Sequence, residues 1–207
     1  MAAHEAREMV RHLPFLSLGK EGRAMRLQTD RLLLRPPERA DWATLIAMIG
    51  DYDVAKNLAG VAHPYTEAHA REFYIRADES RAKGEGWPFS IYRKGDSAYI
   101  GGVGLRLKDG TLELGYWLGR AHWGKGYATE AARRALGFAF HDLKAQSVWA
   151  GWFHDNPRSG HVLEKLGFRF TRSEPRDCLA RGQAVNCHLT TLAREDFGRQ
   201  RKSLGAA

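Results

Sequence analysis

The chain has 207 residues, 43% hydrophobic and 27% charged, which is enough apolar mass to bury the core of one domain without disulfide or metal staples. Its formal net charge is +8, but the lysines and arginines are scattered, which suits an anionic small molecule or an acidic partner and disfavours a nucleic-acid module. No window approaches the roughly 18 apolar residues of a membrane span or the apolar run of a secretory signal, and Cys178 and Cys187 lack metal-ligand spacing, so the chain reads as cytoplasmic, with free thiols, no metal and no membrane.

Residues 1–24 are polar and basic, with one apolar patch at Leu13–Leu18 broken by Pro14. They read as an extension ahead of the domain, with Met25 an alternative start and disorder one expectation. Arg31–Arg35 reads as a buried first strand, stopped by Pro36 and Pro37. Trp42, Leu45, Ile46 and Ile49 share one face of a helix over Glu38–Ile49, which Gly50 ends. A second helix over Glu67–Lys83 follows Thr66, whose pairing with His69 offers only a partial cap. Trp87–Arg93, Ala98–Lys108 and Thr111–Gly119 then form an antiparallel meander, with Asp109-Gly110 a strong hairpin signal.

A helix from Tyr127 to near His141 carries Ala128, Ala131, Ala132, Ala135, Leu136 and Ala139 on one stripe that continues to Leu143. Gln146–Phe153 is the next strand, and the intervening helix lets it run parallel to Thr111–Gly119. Asn156 caps a short helix with Pro157 in its first turn, which ends at Gly167. Phe168–Arg172 and Val185–Leu192 complete the sheet. The fold class is therefore α+β: a central mixed, mostly antiparallel sheet of about seven strands flanked by about four helices, as one domain over residues 25–197 with a tail at 198–207.

The stretch Trp123-Gly124-Lys125-Gly126-Tyr127-Ala128-Thr129-Glu130 joins a strand to a helix. Glycines there let backbone N–H groups approach a ligand, and the helix start adds unpaired donors and partial positive charge. Together they describe a phosphate or pyrophosphate site. Gly119, Gly124 and Lys125 match the spacing of a nucleotide P-loop, but Gly126 stands where that loop needs a hydroxyl for magnesium. No glycine fingerprint of a dinucleotide fold occurs at a strand–helix junction, which disfavours NTP hydrolysis and dinucleotide binding. A coenzyme A pyrophosphate meets the remaining terms.

Five segments together resemble the GNAT superfamily of acyl-CoA-dependent N-acyltransferases, and within it the RimJ/RimL type that acetylates ribosomal-protein N-termini. They are Thr29–Arg35, Ile100-Gly101, Glu113–Leu118, Trp123–Ala131, and Asn156-x-x-Ser159 with Val162–Phe168. The resemblance covers about residues 26–195 and implies the GNAT fold, with acyl-CoA wedged where the fourth and fifth strands splay. It places the pyrophosphate pattern on Trp123, Gly126 and Ala128, with Trp123 replacing the usual Gln or Arg. Leu163 stands where many relatives carry a tyrosine that protonates the leaving thiolate; the RimL branch implies Ser159 instead.

Acetyl transfer to an amine needs a neutral nucleophile, a polarised carbonyl and a proton for the thiolate. Glu113, on a strand between Leu112 and Leu114, is the candidate base, and Ser159 the candidate acid. Both also read as structural: a carboxylate paired with a basic residue, and a first-turn serine. Candidate cofactor contacts are Trp117 and Leu118 through backbone N–H, then Trp123, Gly124, Lys125, Gly126, Tyr127, Ala128, Asn156 and Ser159. His122 reads as a surface residue, and Arg133 and Arg134 as a solvated helix face within reach of an adenosine phosphate. His63, Tyr65 and Trp87 are candidate substrate residues, from segments that line the acceptor groove in relatives. The leading expectation is transfer of acetyl from acetyl-CoA to a primary amine, foremost a protein N-terminal α-amine. The alternatives are a small amine (antibiotic, polyamine or amino acid) and a non-catalytic acyl-CoA sensor. Assembly stays open between monomer and homodimer.

Overall fold

Alternation in Leu32-Leu33-Leu34 puts Leu32 and Leu34 on one face of a strand, and both are fully buried. The structure, a computed structural model, describes residues 25–204, with side chains through residue 199; the extension read over 1–24 lies outside them. Eight strands form one sheet: β1 (Leu27–Gln28), β2 (Leu32–Arg35), β3 (Gly86–Arg93), β4 (Tyr99–Lys108), β5 (Thr111–Leu118), β6 (Ser147–Phe153), β7 (Arg169–Cys178) and β8 (Gln183–Ala193). Their spatial order is β1-β2-β3-β4-β5-β6-β8-β7. The helices are α1 (Trp42–Ile49), α2 (Tyr52–Ala55), α3 (Glu67–Ala82), α4 (Tyr127–His141), α5 (Pro157–Lys165) and α6 (Arg194–Leu204). None among the described residues is long and apolar enough to cross a membrane.

Local chemistry explains most of these elements. Asp109 and Gly110 turn the β4–β5 hairpin with φ of 50° and 78°, the doubly left-handed geometry that Asp-Gly favours. Thr66 and His69 form a full reciprocal cap on α3, not the partial one expected: Thr66 Oγ1 accepts from His69 N–H at 3.5 Å, and His69 Nδ1 accepts from Thr66 N–H at 3.0 Å. The imidazole fills the place that Glu or Gln usually takes. Two elements depart further from the reading. β7 runs through Cys178 although most of it is exposed and charged, as suits a sheet edge that must not recruit another strand. α6 runs through the 197/198 boundary, with Phe197 buried against Phe140 at 5.1 Å between ring centroids.

Two apolar layers clamp the sheet. On one face α4 lies against Leu32, Leu34, Phe89, Ile91, Leu112 and Leu114, and its alanines let the helix axis approach closely. On the other, Leu45 and Ile49 of α1 pack with Val54, Ala70 and Tyr74. α4 carries the chain from β5 to β6, so these strands are parallel, and they pair only at Leu112↔Val148 and Glu113↔Trp149. Beyond Glu113 they part. Leu136 sits in the middle of α4 with no exposed surface. Leu136→Ala should lower unfolding free energy by about 2–5 kcal/mol, read from the denaturant midpoint.

Candidate active site

The parting of β5 from β6 leaves peptide groups without a neighbour. Gly119 N–H bonds Ile100 O at 3.0 Å, which fixes the alternation along β5. Gly115 and Trp117 turn their main-chain groups to β4; Leu114 N–H still closes the Glu113↔Trp149 pair, while Tyr116 and Leu118 turn theirs toward β6 after it has diverged. Of the two backbone donors expected, Leu118 therefore faces the gap and Trp117 does not; the Trp117 ring packs on Tyr99, 6.2 Å between centroids. The gap continues as a cleft of about 1510 Å³ from the start of α4, past β5 and α5, to α3.

At its α4 end, Gly124 and Gly126 take φ of 74° and 79°, which only glycine adopts without strain. Glu130 N–H makes the first helical bond, to Gly126 O at 3.1 Å, so the N–H groups of Tyr127, Ala128 and Thr129 have no intrahelical acceptor. Trp123 does not point at this nest: its Nε1–H donates to Leu118 O at 2.8 Å and ties the loop to the end of β5, with the Arg158 guanidinium 5.5 Å over its ring. Lys125 Nζ donates to Ala121 O at 2.9 Å and stays exposed beside the loop.

Glu130, in the first turn of α4, would repel an anion, but Arg31 bonds it through Nε at 2.6 Å and Thr29 through Oγ1 at 2.5 Å. Burial pushes its carboxyl up, and Thr29 and Arg31 outweigh that and hold it ionised and neutralised. Arg31 also donates to Lys125 O at 3.2 Å, so it braces the loop itself. Neither Thr29 nor Arg31 was expected in the site. His122 is half-buried with Nδ1 unpartnered; burial, then Arg93 and Lys125, hold its imidazole below the usual range and hence neutral. Arg133 donates to Lys165 O at 3.3 Å, closing the end of α5.

Midway along the cleft Asn156 caps α5, its Oδ1 accepting from Ser159 N–H at 3.3 Å. Ser159 Oγ lies 2.9 Å from the Tyr116 hydroxyl, which is also 3.0 Å from Ser159 O. Burial pushes the Tyr116 phenol far above its ordinary value, so it keeps its proton. Tyr116 is a site residue that the sequence reading missed. Leu163 is 1% exposed and belongs to the core, away from the cleft.

At the far end Glu113 lies between two guanidiniums: Arg106 Nη2 bonds one oxygen and Arg176 Nη2 the other, at 2.7 Å. Burial pushes the carboxyl up, but Arg106 and Arg176 outweigh it and hold it below the usual carboxylate range. Both oxygens are engaged, so Glu113 is a weak proton acceptor here. Next on the same face comes Gly115, where an added Cβ would meet nothing within 4 Å. Gly104 lies opposite it on β4, so the cleft floor is bare backbone. Beyond, the β7–β8 turn crosses to the segment after α2: Arg181 Nε donates to Lys56 O at 2.7 Å and Leu179 N–H to Ala59 O at 3.2 Å. Arg181 also grips Asp155 at 2.6 and 3.1 Å.

The three expected substrate residues sit elsewhere. Trp87 shares its face with Phe89 and Ile91 and packs edge-on to Phe138 at 6.2 Å, in the α4 layer. His63 is exposed against Tyr52, and Tyr65 joins the α1–α3 cluster beside His69. None of them lines the cleft. Phe73 and Arg76 of α3 do so instead. A signal for Gly115 existed, since a glycine inside a strand marks a close approach; Arg176 gave none, because the strand carrying it was not recognised.

The family profile described as "Acetyltransferase (GNAT) domain" matches residues 31–169. An uncharacterized N-acetyltransferase of Bacillus licheniformis is 30% identical over 176 residues, covering 83% of this chain and 97% of that protein. Among solved structures, Mycobacterium smegmatis RimJ in complex with CoA-disulfide superposes with a TM-score of 0.72 at 18% identity, covering 88% of this chain and 94% of that one. Spermidine N-acetyltransferase from Vibrio cholerae, in complex with CoA and spermine, gives 0.70 at 19% identity, covering 82% and 99%.

Gly115→Leu should fold with a midpoint near that of the parent, since the site has room, yet raise KM for the acceptor by more than about tenfold by filling the floor. Glu113→Gln tests the clamp through stability. The folded carboxyl titrates below the unfolded one, so its contribution is full above the ordinary carboxylate range and is lost as pH falls through the folded value. The variant should be about 2 kcal/mol less stable at pH 7, and the difference should shrink on acidification, measured by urea unfolding.

Proposed function

Because this chain belongs to the GNAT acetyltransferase family and is thus an acetyl-CoA-dependent N-acetyltransferase, we propose that its acceptor is a protein or peptide N-terminal α-amine, as in the RimJ/RimL branch. The carrying observation is the clamp on Glu113. With both carboxylate oxygens held by arginines, the acceptor end favours an amine that is already partly neutral. An α-amine is about one-tenth neutral at pH 7, a lysine amine only about four parts in ten thousand.

The residues present fit the cosubstrate. The N–H groups of Tyr127, Ala128 and Thr129, with the loop at Gly124 and Gly126, would hold its pyrophosphate, and Lys125 adds charge beside them. The peptide groups of Tyr116 and the N–H of Leu118, left facing the gap, match an amide-bearing pantetheine arm, much as an added strand would pair. Bound acetyl-CoA supplies the acetyl thioester, whose carbonyl carbon the amine attacks as the thiolate leaves.

This chain's own part is donors and protons. Leu118 N–H, or Tyr116 N–H beside it, polarises the carbonyl. Ser159 Oγ gives its proton to the departing thiolate and takes up the one the attacking nitrogen sheds, while the Tyr116 hydroxyl, kept protonated by burial, holds that oxygen at 2.9 Å. Glu113 holds Arg106 and Arg176 in place and leaves the amine to arrive neutral. Asn156 fixes the turn that presents Ser159.

The test compares a peptide with a free α-amine against the same peptide blocked there and carrying one lysine, by mass spectrometry after incubation with acetyl-CoA. The free α-amine should react faster by about two orders of magnitude at pH 7, with a rate that climbs to pH 8. A faster lysine peptide would overturn the reading. Tyr116→Phe should lower kcat about tenfold, and Ser159→Ala further, with coenzyme A affinity within about twofold of the parent.

A further inference from the structure

Glu113 offers one negative charge to two guanidiniums, so the group as a whole carries an excess positive charge at the acceptor end of the cleft. Its members differ in freedom. The Glu113 side chain is 10% exposed and Arg176 23%, but Arg106 is 62% exposed while giving one nitrogen to the carboxylate. A guanidinium has five N–H donors, so Arg106 keeps several directed at solvent and at whatever enters. Arg176 is fixed further by the Trp149 ring, 5.6 Å from its carbon. Both arginines line the cleft, with the bare floor at Gly115 two residues along the strand, about 7 Å away. Arg76 and Lys83 face the same space from α3 and its C-cap, against Glu79 in the last turn of α3 and Glu85 before β3, so the single excess positive charge persists.

From this arrangement we infer that Arg106 and Arg176, oriented by Glu113, form an anion subsite that selects acceptors carrying a carboxylate close to the reacting amine. The inference rests on the N-acetyltransferase reading and narrows its substrate class. A guanidinium pre-set by a buried carboxylate binds a second one in a fixed fork at little further entropic cost. A cationic acceptor such as a polyamine meets excess positive charge instead. The carboxylate can come from an acidic side chain near a peptide N-terminus, or from the α-carboxylate of a free amino acid.

The full chain, with acetyl-CoA, would be assayed on peptides identical except for Glu, Gln or Lys at the second position, and on free glutamate and spermidine. The Glu peptide should exceed the Gln peptide in kcat/KM by about tenfold, mainly through KM, and the Lys peptide by more. Raising ionic strength should shrink that preference. Arg106→Gln, at an exposed position, should bring the ratio near one, and Arg106→Lys should restore part of it. If all three peptides react equally well, the subsite is overturned while the α-amine reading stands. If free glutamate reacts and no peptide does, the subsite stands and the peptide reading falls. Preference for spermidine overturns both. An Arg106→Gln variant that folds and keeps the full acidic preference also sinks the subsite.

Discussion

Everything in this fold turns on the early end of one strand pairing. β5 and β6 share two residue pairs and then separate, although both continue for several residues more. A sheet interrupted at its one parallel pair leaves main-chain donors and acceptors facing an open gap, a costly arrangement unless something polar fills it. Every other part of the site is placed by that divergence. α4 bridges the parted strands and points its first turn into the gap, and α5 sets a serine against a β5 tyrosine from the far wall.

Charge is handled in two opposite ways along the same cleft. At the α4 end, the acidic residue of the first turn is cancelled by Arg31 and Thr29, so the helix dipole meets an anion without interference. At the acceptor end, the acidic residue is over-compensated by Arg106 and Arg176. In the mechanism we propose, both carboxylates thereby stay out of proton transfer, and the chemistry is left to neutral hydroxyls and main-chain amides, whose strength depends on burial and geometry more than on pH.

Elements whose cause is local were legible. The Asp109-Gly110 turn, the Asn156-Pro157 helix start and the glycine loop before α4 each follow from backbone preferences of a few residues. The apolar stripe of α4 was equally plain. What escaped depends on partners distant in the chain. β1 is too short for a pattern, and β7 carries charges where apolar alternation is expected of a strand. Arg176 reaches Glu113 only because β7, paired through β8, lies across the sheet, so a carboxylate that read as a base could not be seen in its clamp. Trp87 is a different case: its shared parity with Phe89 and Ile91 already assigned it to the core face, and that periodicity outweighs its place near the groove of relatives.

The bridge from Arg181 has a geometric meaning for whatever enters. By gripping Lys56 O on one bank and Asp155 on the other, it ties together the two banks of the divided sheet. Whatever enters therefore meets walls that the protein itself holds at a set spacing, not a gap that closes only around its ligand.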